Sequence, residues 1–237
     1  MNPRSKLIYR IENLKKNYGD RTVLQIGRLQ IHPGTIYGII GPIGSGKTSL
    51  LKIMAAKDKQ SAGLMEYDSE SFKTNIFGRL KNCSDIYYAN YELLPQNQSI
   101  SQIVRKNFPK KSENIKSKYF PSGNKERLWT ITLGNLSPGE KSWINTILAV
   151  EGDPRVLIID DYGTLIDLEM ESEFRKRILK MNRDLGTTII LASPTDQIIR
   201  KFASVIIYMD NGHVAKIRSG VTKSFKIKRP RPSRKPK

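Results

Sequence analysis

The sequence predicts an α/β fold: a mainly parallel sheet covered by helices on both faces. Two observations carry that reading. A glycine-rich stretch at 41–48 sits between an apolar strand signal and a helix signal. Further on, two continuous apolar runs, Val156-Leu157-Ile158-Ile159 and Thr188-Ile189-Ile190-Leu191, flank a helix-period stretch. Strands that are apolar at every position suit burial on both faces, and the β-α-β order places them in one doubly covered sheet. The 237 residues suffice for one domain with a subdomain, or two small ones.

The elements follow in order. Leu7-Ile8-Tyr9-Arg10-Ile11 reads as a half-exposed strand. A second strand signal spans 23–31. Leu24 and Ile26 keep one alternating register, Leu29 and Ile31 the other, so a bulge or break is expected at Gly27. Pro33-Gly34 marks a turn. Ile36-Tyr37-Gly38-Ile39-Ile40 reads as a buried strand, and 49–56 as the helix after the loop. The stretch 87–150 is polar and basic, with helical patches at 100–107 and 141–150, and is expected to form a helical insertion. Its middle, 109–127, is rich in Lys, Ser, Asn and Pro and reads as exposed loop. Between the two apolar strands, Met170, Phe174, Ile178, Met181 and Leu185 share a helix face that ends at Gly186. Val205 to Met209, Asp210-Asn211-Gly212, then His213 to Ile217 reads as a hairpin.

Bulk properties bound the class. No apolar run approaches the ~20 residues of a membrane-spanning helix. The N-terminal stretch is charged early, so no secretory signal is expected. Cys83 is alone, which excludes an intrachain disulfide or a cysteine metal cluster and suits a reducing, cytoplasmic setting. The formal charge is +19. The tail 223–237 holds eight basic residues and no acidic one, leaving +11 on the rest. Such a segment buries no core and is expected to be disordered. Its readings are a solvated tail, contact with anionic lipid, or contact with nucleic acid.

Gly41-Pro42-Ile43-Gly44-Ser45-Gly46-Lys47-Thr48 fits the G-x-x-x-x-G-K-[ST] phosphate-binding loop at every fixed position. Glycines let backbone N–H groups turn inward around a polyphosphate. Lys47 can reach the β- and γ-phosphate oxygens, and the Thr48 hydroxyl can ligate Mg²⁺. Asp160, at the end of an apolar strand, is a candidate Mg²⁺ carboxylate. Asp161 follows and can polarise a water for attack on the γ-phosphate.

Between these motifs lies Leu136-Ser137-Pro138-Gly139-Glu140, followed by a helix. With it, the chain resembles the ATP-binding cassette (ABC) ATPases over roughly 7–218, Leu136 to Glu140 matching that family's LSGGQ signature. The resemblance implies a single ABC ATPase domain over 1–222. It would have an N-terminal antiparallel β subdomain and a helical subdomain at about 87–150. ATP and Mg²⁺ are the implied cofactors. The implied nucleotide contacts come from Gly41, Pro42, Ile43, Gly44, Ser45, Gly46, Lys47, Thr48 and Ser49, with Tyr18 stacking on adenine. Ser137 and Gly139 would close on the γ-phosphate of an opposite subunit in a head-to-tail dimer. Thr164-Leu165-Ile166-Asp167 occupies the D-loop place. Asn90, or Tyr91 after a shift of one, falls at the Q-loop glutamine. Implied partners are integral membrane permease subunits and a second ABC ATPase, the same or different. The implied location is peripheral, on the inner face of the cell membrane.

The departures are specific. Asn90 and Asp161 are each one methylene shorter than the residue the family carries. Pro138 replaces a signature glycine and removes one N–H. Pro194 stands at the place of the switch histidine, and its side chain can neither donate nor accept. His32 and His213 lie in other contexts. Trp143 stands where the signature helix usually has arginine. The binding half of the site is expected to be intact and the hydrolytic half depleted. The leading functional expectation is an ATP-binding transporter subunit with slow hydrolysis. The alternatives are a non-transport ABC protein acting on nucleic acid or ribosomes, and a nucleotide sensor that binds without turnover.

Overall fold

The computed structural model describes residues 7–123 and 125–220. Along the chain come β1 (Tyr9–Tyr18), β2 (Arg21–Ile31), β3 (Ile36–Ile40), α1 (Lys47–Met54), β4 (Ala62–Tyr67) and the two-residue β5 (Glu70–Ser71). Then follow β6 (Ile86–Ala89), α2 (Ile100–Asn107), α3 (Ser112–Tyr119), α4 (Pro138–Gly152), β7 (Val156–Ile159), α5 (Leu168–Leu185), β8 (Thr188–Ser193), β9 (Val205–Asp210) and β10 (His213–Ser219). The basic tail 223–237 lies outside the described residues.

A four-stranded antiparallel sheet has the order β2-β1-β4-β5. The expected strand at 7–11 is longer than its alternation suggested, because the pleat reverses inside it. Tyr9 and Ile11 point to the core before Asn13, Leu14 and Lys16 after it. Asn13 is left-handed, with φ 49°. The same reversal occurs in β2 around Gly27, which lies opposite. Glu12 pairs with Arg28 and Leu14 with Ile26, so the β1–β2 register is kept across the switch. The structure therefore shows one continuous β2 where a break was an option. The offset falls on the β4 side, where a Cβ at Gly63 would meet the Asn13 carbonyl oxygen at 2.2 Å.

The second sheet has the order β10-β9-β3-β8-β7-β6; β9 to β6 are parallel and β10 is an antiparallel edge. Its central strands are buried at every position. Tyr37, Ile39, Ile158, Ile190 and Ala192 face α1 and the first sheet, packing on Leu50, Leu51, Ile53 and Met54. Ile36, Ile40, Leu157, Ile159, Ile189 and Leu191 face the opposite way, against Ile178 and Met181 of α5. α5 ends where its periodicity does, at left-handed Gly186, φ 68°.

A third core belongs to the helical region. It gathers Ile100, Ile103 and Val104 of α2, Ile115 and Tyr119 of α3, Phe120, Trp129, and Trp143, Ile144 and Ile147 of α4. Two expectations are corrected here. The span 109–127 is not simply exposed loop. It contains α3, whose apolar stripe is only Ile115 and Tyr119, four apart and masked by surrounding Lys, Ser and Asn. The stretch from 87 does not begin as helical insertion, because Tyr87, Tyr88 and Ala89 belong to β6 at the sheet edge. α1 also starts at Lys47, two residues earlier than expected, since left-handed Gly46 stands just before it.

Candidate functional site

The loop between β3 and α1 is shaped by its glycines. Gly44 and Gly46 hold φ of +84° and +94°, a region that penalises any side chain. A Cβ at Gly41 would lie 2.2 Å from the Met209 carbonyl oxygen. The β9–β10 turn braces the loop from outside. Gly212 N–H donates to the Ser45 carbonyl at 3.1 Å, and Gln25 N–H donates to the Gly212 carbonyl at 2.9 Å. The turn was legible in Asn211-Gly212; its contact with the loop, 167 positions from Ser45 to Gly212, was not.

Lys47 opens α1 and is only 6% exposed. Its ammonium donates to the carbonyls of Gly41 at 2.7 Å and Pro42 at 2.9 Å, inside the curve of the loop. Burial pulls its pKa down, and the charges of Asp161 and Asp160 oppose that shift. The ammonium and the first amides of α1 thus face one place, which suits a polyphosphate.

Asp160 lies just past β7 and is 9% exposed. Thr48 Oγ1 donates to its Oδ1 at 3.3 Å, and the Tyr88 hydroxyl donates to its Oδ2 at 2.8 Å. Burial, then the nearby Asp160 charge, keeps the Tyr88 phenol well above its ordinary pKa, so it remains a donor. Tyr88 is a functional candidate that sequence reading missed. Asp161 is left-handed, φ 51°, and Thr164 donates to its carbonyl at 2.8 Å. Its carboxyl pKa is raised by desolvation first and by Asp160 next, while Lys47 pulls it down and Glu92 adds a smaller upward push. Asn90 caps the 3-10 turn at Tyr91–Leu93, its Oδ1 accepting from Glu92 N–H at 2.9 Å.

Tyr18 stands beside Ser49. Its hydroxyl donates to Asp58 Oδ2 at 2.6 Å, and the Lys16 ammonium lies 4.7 Å from its ring centre. The ring is 48% exposed, so an apolar aromatic edge borders the loop. Ser137 and Gly139 have different company. Ser137 and Glu140 form a reciprocal capping box at the start of α4. A Cβ at Gly139 would meet the Leu165 carbonyl oxygen at 2.8 Å, so this glycine lets 164–167 pack on α4. Pro138 occupies N1 of that helix, where a missing N–H costs no helix bond. Its absence is felt only by an external anion.

Pro194 follows β8 directly. His213 is exposed at the start of β10. Trp143 is a core residue, 5% exposed and 5.2 Å edge-on to Phe120. The structure thus gathers the loop, Thr48, Asp160, Asp161 and Asn90, with Tyr88 among them. It places Tyr18 at their border and sets Ser137 and Gly139 on a separate helix start.

The donor set fits the implied ligands. A hydroxyl beside a carboxylate offers hard oxygens, and no cluster of three or more His, Cys, Asp or Glu able to hold an ion occurs among the described residues. That suits Mg²⁺, which is typically held by one or two protein oxygens plus phosphate and water. When bound, Mg²⁺ neutralises charge on the β- and γ-phosphate oxygens.

Comparison with known proteins bears on the family and the fold. A family model described as "ABC transporter" matches residues 24–162. The chain is 25% identical to the methionine import ATP-binding protein MetN of Chlamydia pneumoniae over 222 residues, covering 89% of this chain and 65% of that protein. It is 25% identical over 218 residues to the spermidine/putrescine import ATP-binding protein PotA of Haemophilus ducreyi, covering 89% and 57% respectively. The chain thus spans less than two thirds of the length of these relatives. Among solved structures, cbiO1 of Clostridium perfringens, part of the ABC transporter complex cbiONQ, superposes with a TM-score of 0.71 at 23% identity, over 90% of this chain and 89% of that one. The dimeric ATP-binding cassette MJ0796 with ADP and Pi gives 0.74 at 20% identity, over 89% and 98%. These structural likenesses concern the fold.

Proposed function

Because the chain belongs to the ABC transporter family, we propose that it is an ATP-binding transporter subunit: it binds MgATP at a dimer interface and so drives or regulates a separate membrane permease. The observation that carries this reading is the Lys47 ammonium, buried in the loop and converging with Thr48 and Asp160. The amides of 44–49 and Lys47 hold the phosphates. Thr48 and Asp160 hold the metal. Tyr18 offers its ring to the base. Asp161 orients and deprotonates the attacking water as general base.

The start of α4, with Ser137 as cap and Gly139 packed on Leu165, presents amides to the nucleotide of a second subunit, equal or different. Turnover is slow. Asp161 is short for its task, the Pro194 side chain offers no hydrogen bond to the γ-phosphate, and Pro138 removes one amide. The place of action is the inner face of the cell membrane. No helix among the described residues is long and apolar enough to cross a membrane.

The test is recovery of partners from gently solubilised membranes. An integral membrane protein held stoichiometrically supports the reading. Ribosomes or nucleic acid in its place contradict it.

A further inference from the structure

Resting on that reading of the nucleotide site, we propose that Tyr88 is a positioning residue of the metal site. Its hydroxyl holds the Asp160 carboxylate in place. The position is set by β6, whose Tyr88 pairs with Ile158, two residues before Asp160. From there the hydroxyl reaches over the end of β7 and donates to Asp160 Oδ2 at 2.8 Å. The other oxygen, Oδ1, accepts from Thr48 at 3.3 Å. Each carboxylate oxygen thus has its own partner, and the plane of the group is fixed. Oδ1 and Thr48 Oγ1 are left as the adjacent oxygens for a cation. Hydrogen bonds of this kind orient metal ligands and set their affinity.

The experiment is equilibrium ATP binding to the full chain, in Mg²⁺ and in EDTA, for the parent and Tyr88→Phe. The ring remains in its core and only the hydroxyl leaves. The result expected is unchanged affinity in EDTA and loss of about tenfold or more of the Mg²⁺-dependent gain. An unchanged Mg²⁺ gain overturns the proposal. So does an equal loss with and without metal, which would make Tyr88 a packing residue. Should Tyr88→Phe fail to fold by thermal melting, Tyr88→Met decides: a reduced Mg²⁺ gain with the affinity in EDTA kept supports the positioning, and an unaltered gain overturns it. Lys47→Ala separates the two levels. If it binds ATP like the parent in both buffers, the nucleotide site itself is misplaced; if it loses binding in both, only the Tyr88 result bears on this inference.

Discussion

Asp58 shows how single residues set the rim of the site. Its carboxylate accepts from Lys16 at 2.6 Å, from Tyr18 at 2.6 Å and from the Lys59 N–H at 2.7 Å. Burial alone would raise its pKa; the hydrogen bonds from Lys16 and Tyr18 outweigh it, and the group sits below its ordinary 3.8. The folded pKa is thus lower than the unfolded one. The stabilisation is present above about pH 4 and is lost as pH falls through the folded value. Asp58→Asn should therefore lower the melting temperature at neutral pH and shrink the difference from the parent below pH 3. A constant difference across that range would remove Asp58 from this role. The same variant frees the Tyr18 ring, so ATP affinity should fall a few-fold, in line with the roughly 0.5–1.5 kcal/mol of an aromatic contact.

What was legible at this scale follows from locality. Gly41, Lys47 and Thr48 lie within eight positions, and the backbone conformation their chemistry needs is written in the same stretch. Asp160 was legible because a carboxylate ending an apolar strand is unusual. Tyr88 was hidden because its partner lies 72 positions away, and a tyrosine in an apolar strand reads as ordinary core.

Among the elements, α4 joins the site to the helical core. Ser137 caps it, and Trp143 anchors it against Phe120, with Lys125 over the ring at 5.3 Å. Trp143→Ala should cost about 3–5 kcal/mol in the cooperative unit that contains the helical core. Chemical denaturation should show that loss, with ATP binding by the loop largely kept; loss below ~1 kcal/mol would mean the helical core does not depend on this ring. Gly139→Ala acts differently. Its Cβ would push on the Leu165 carbonyl at 2.8 Å, so 164–167 must shift. ATP-dependent self-association or pairing should weaken while monomer ATP binding persists. Intact association would show that the packing of 164–167 on α4 has no part in it.

Element legibility tracks pattern strength. β3 and β7 were readable because every position is apolar between clear breaks. α2 falls on the helical patch read at 100–107, and its buried residues are Ile100, Ile103 and Val104. α3 escaped because two buried apolar residues in eight, Ile115 and Tyr119, leave too little periodicity. β6 escaped because two tyrosines and one alanine after Ile86 resemble any polar-aromatic stretch.

For the whole molecule, two cores lie on the faces of the sheet whose β3 leads into the phosphate loop, while the third core lies in the helical region. The loop and Asp160 follow the ends of β3 and β7. Of the parts that depart from the family pattern, Asn90, Pro138, Asp161 and Pro194 lie in loops or helix starts, while Trp143 lies within α4. Under the proposed function, that arrangement is expected to preserve nucleotide affinity while lowering turnover. Phosphate release by the isolated chain should fall below about 1 s⁻¹, the low edge of ordinary enzymes. A fast release that requires Lys47 would show that the shortened residues still suffice.

The most direct measurement is calorimetric titration of the full chain with MgATP beside Lys47→Ala at equal folded stability. Saturable one-to-one binding in the parent, reduced beyond detection in the variant, is the outcome expected. Equal binding in both would place the triphosphate elsewhere and contradict the assignment of the loop.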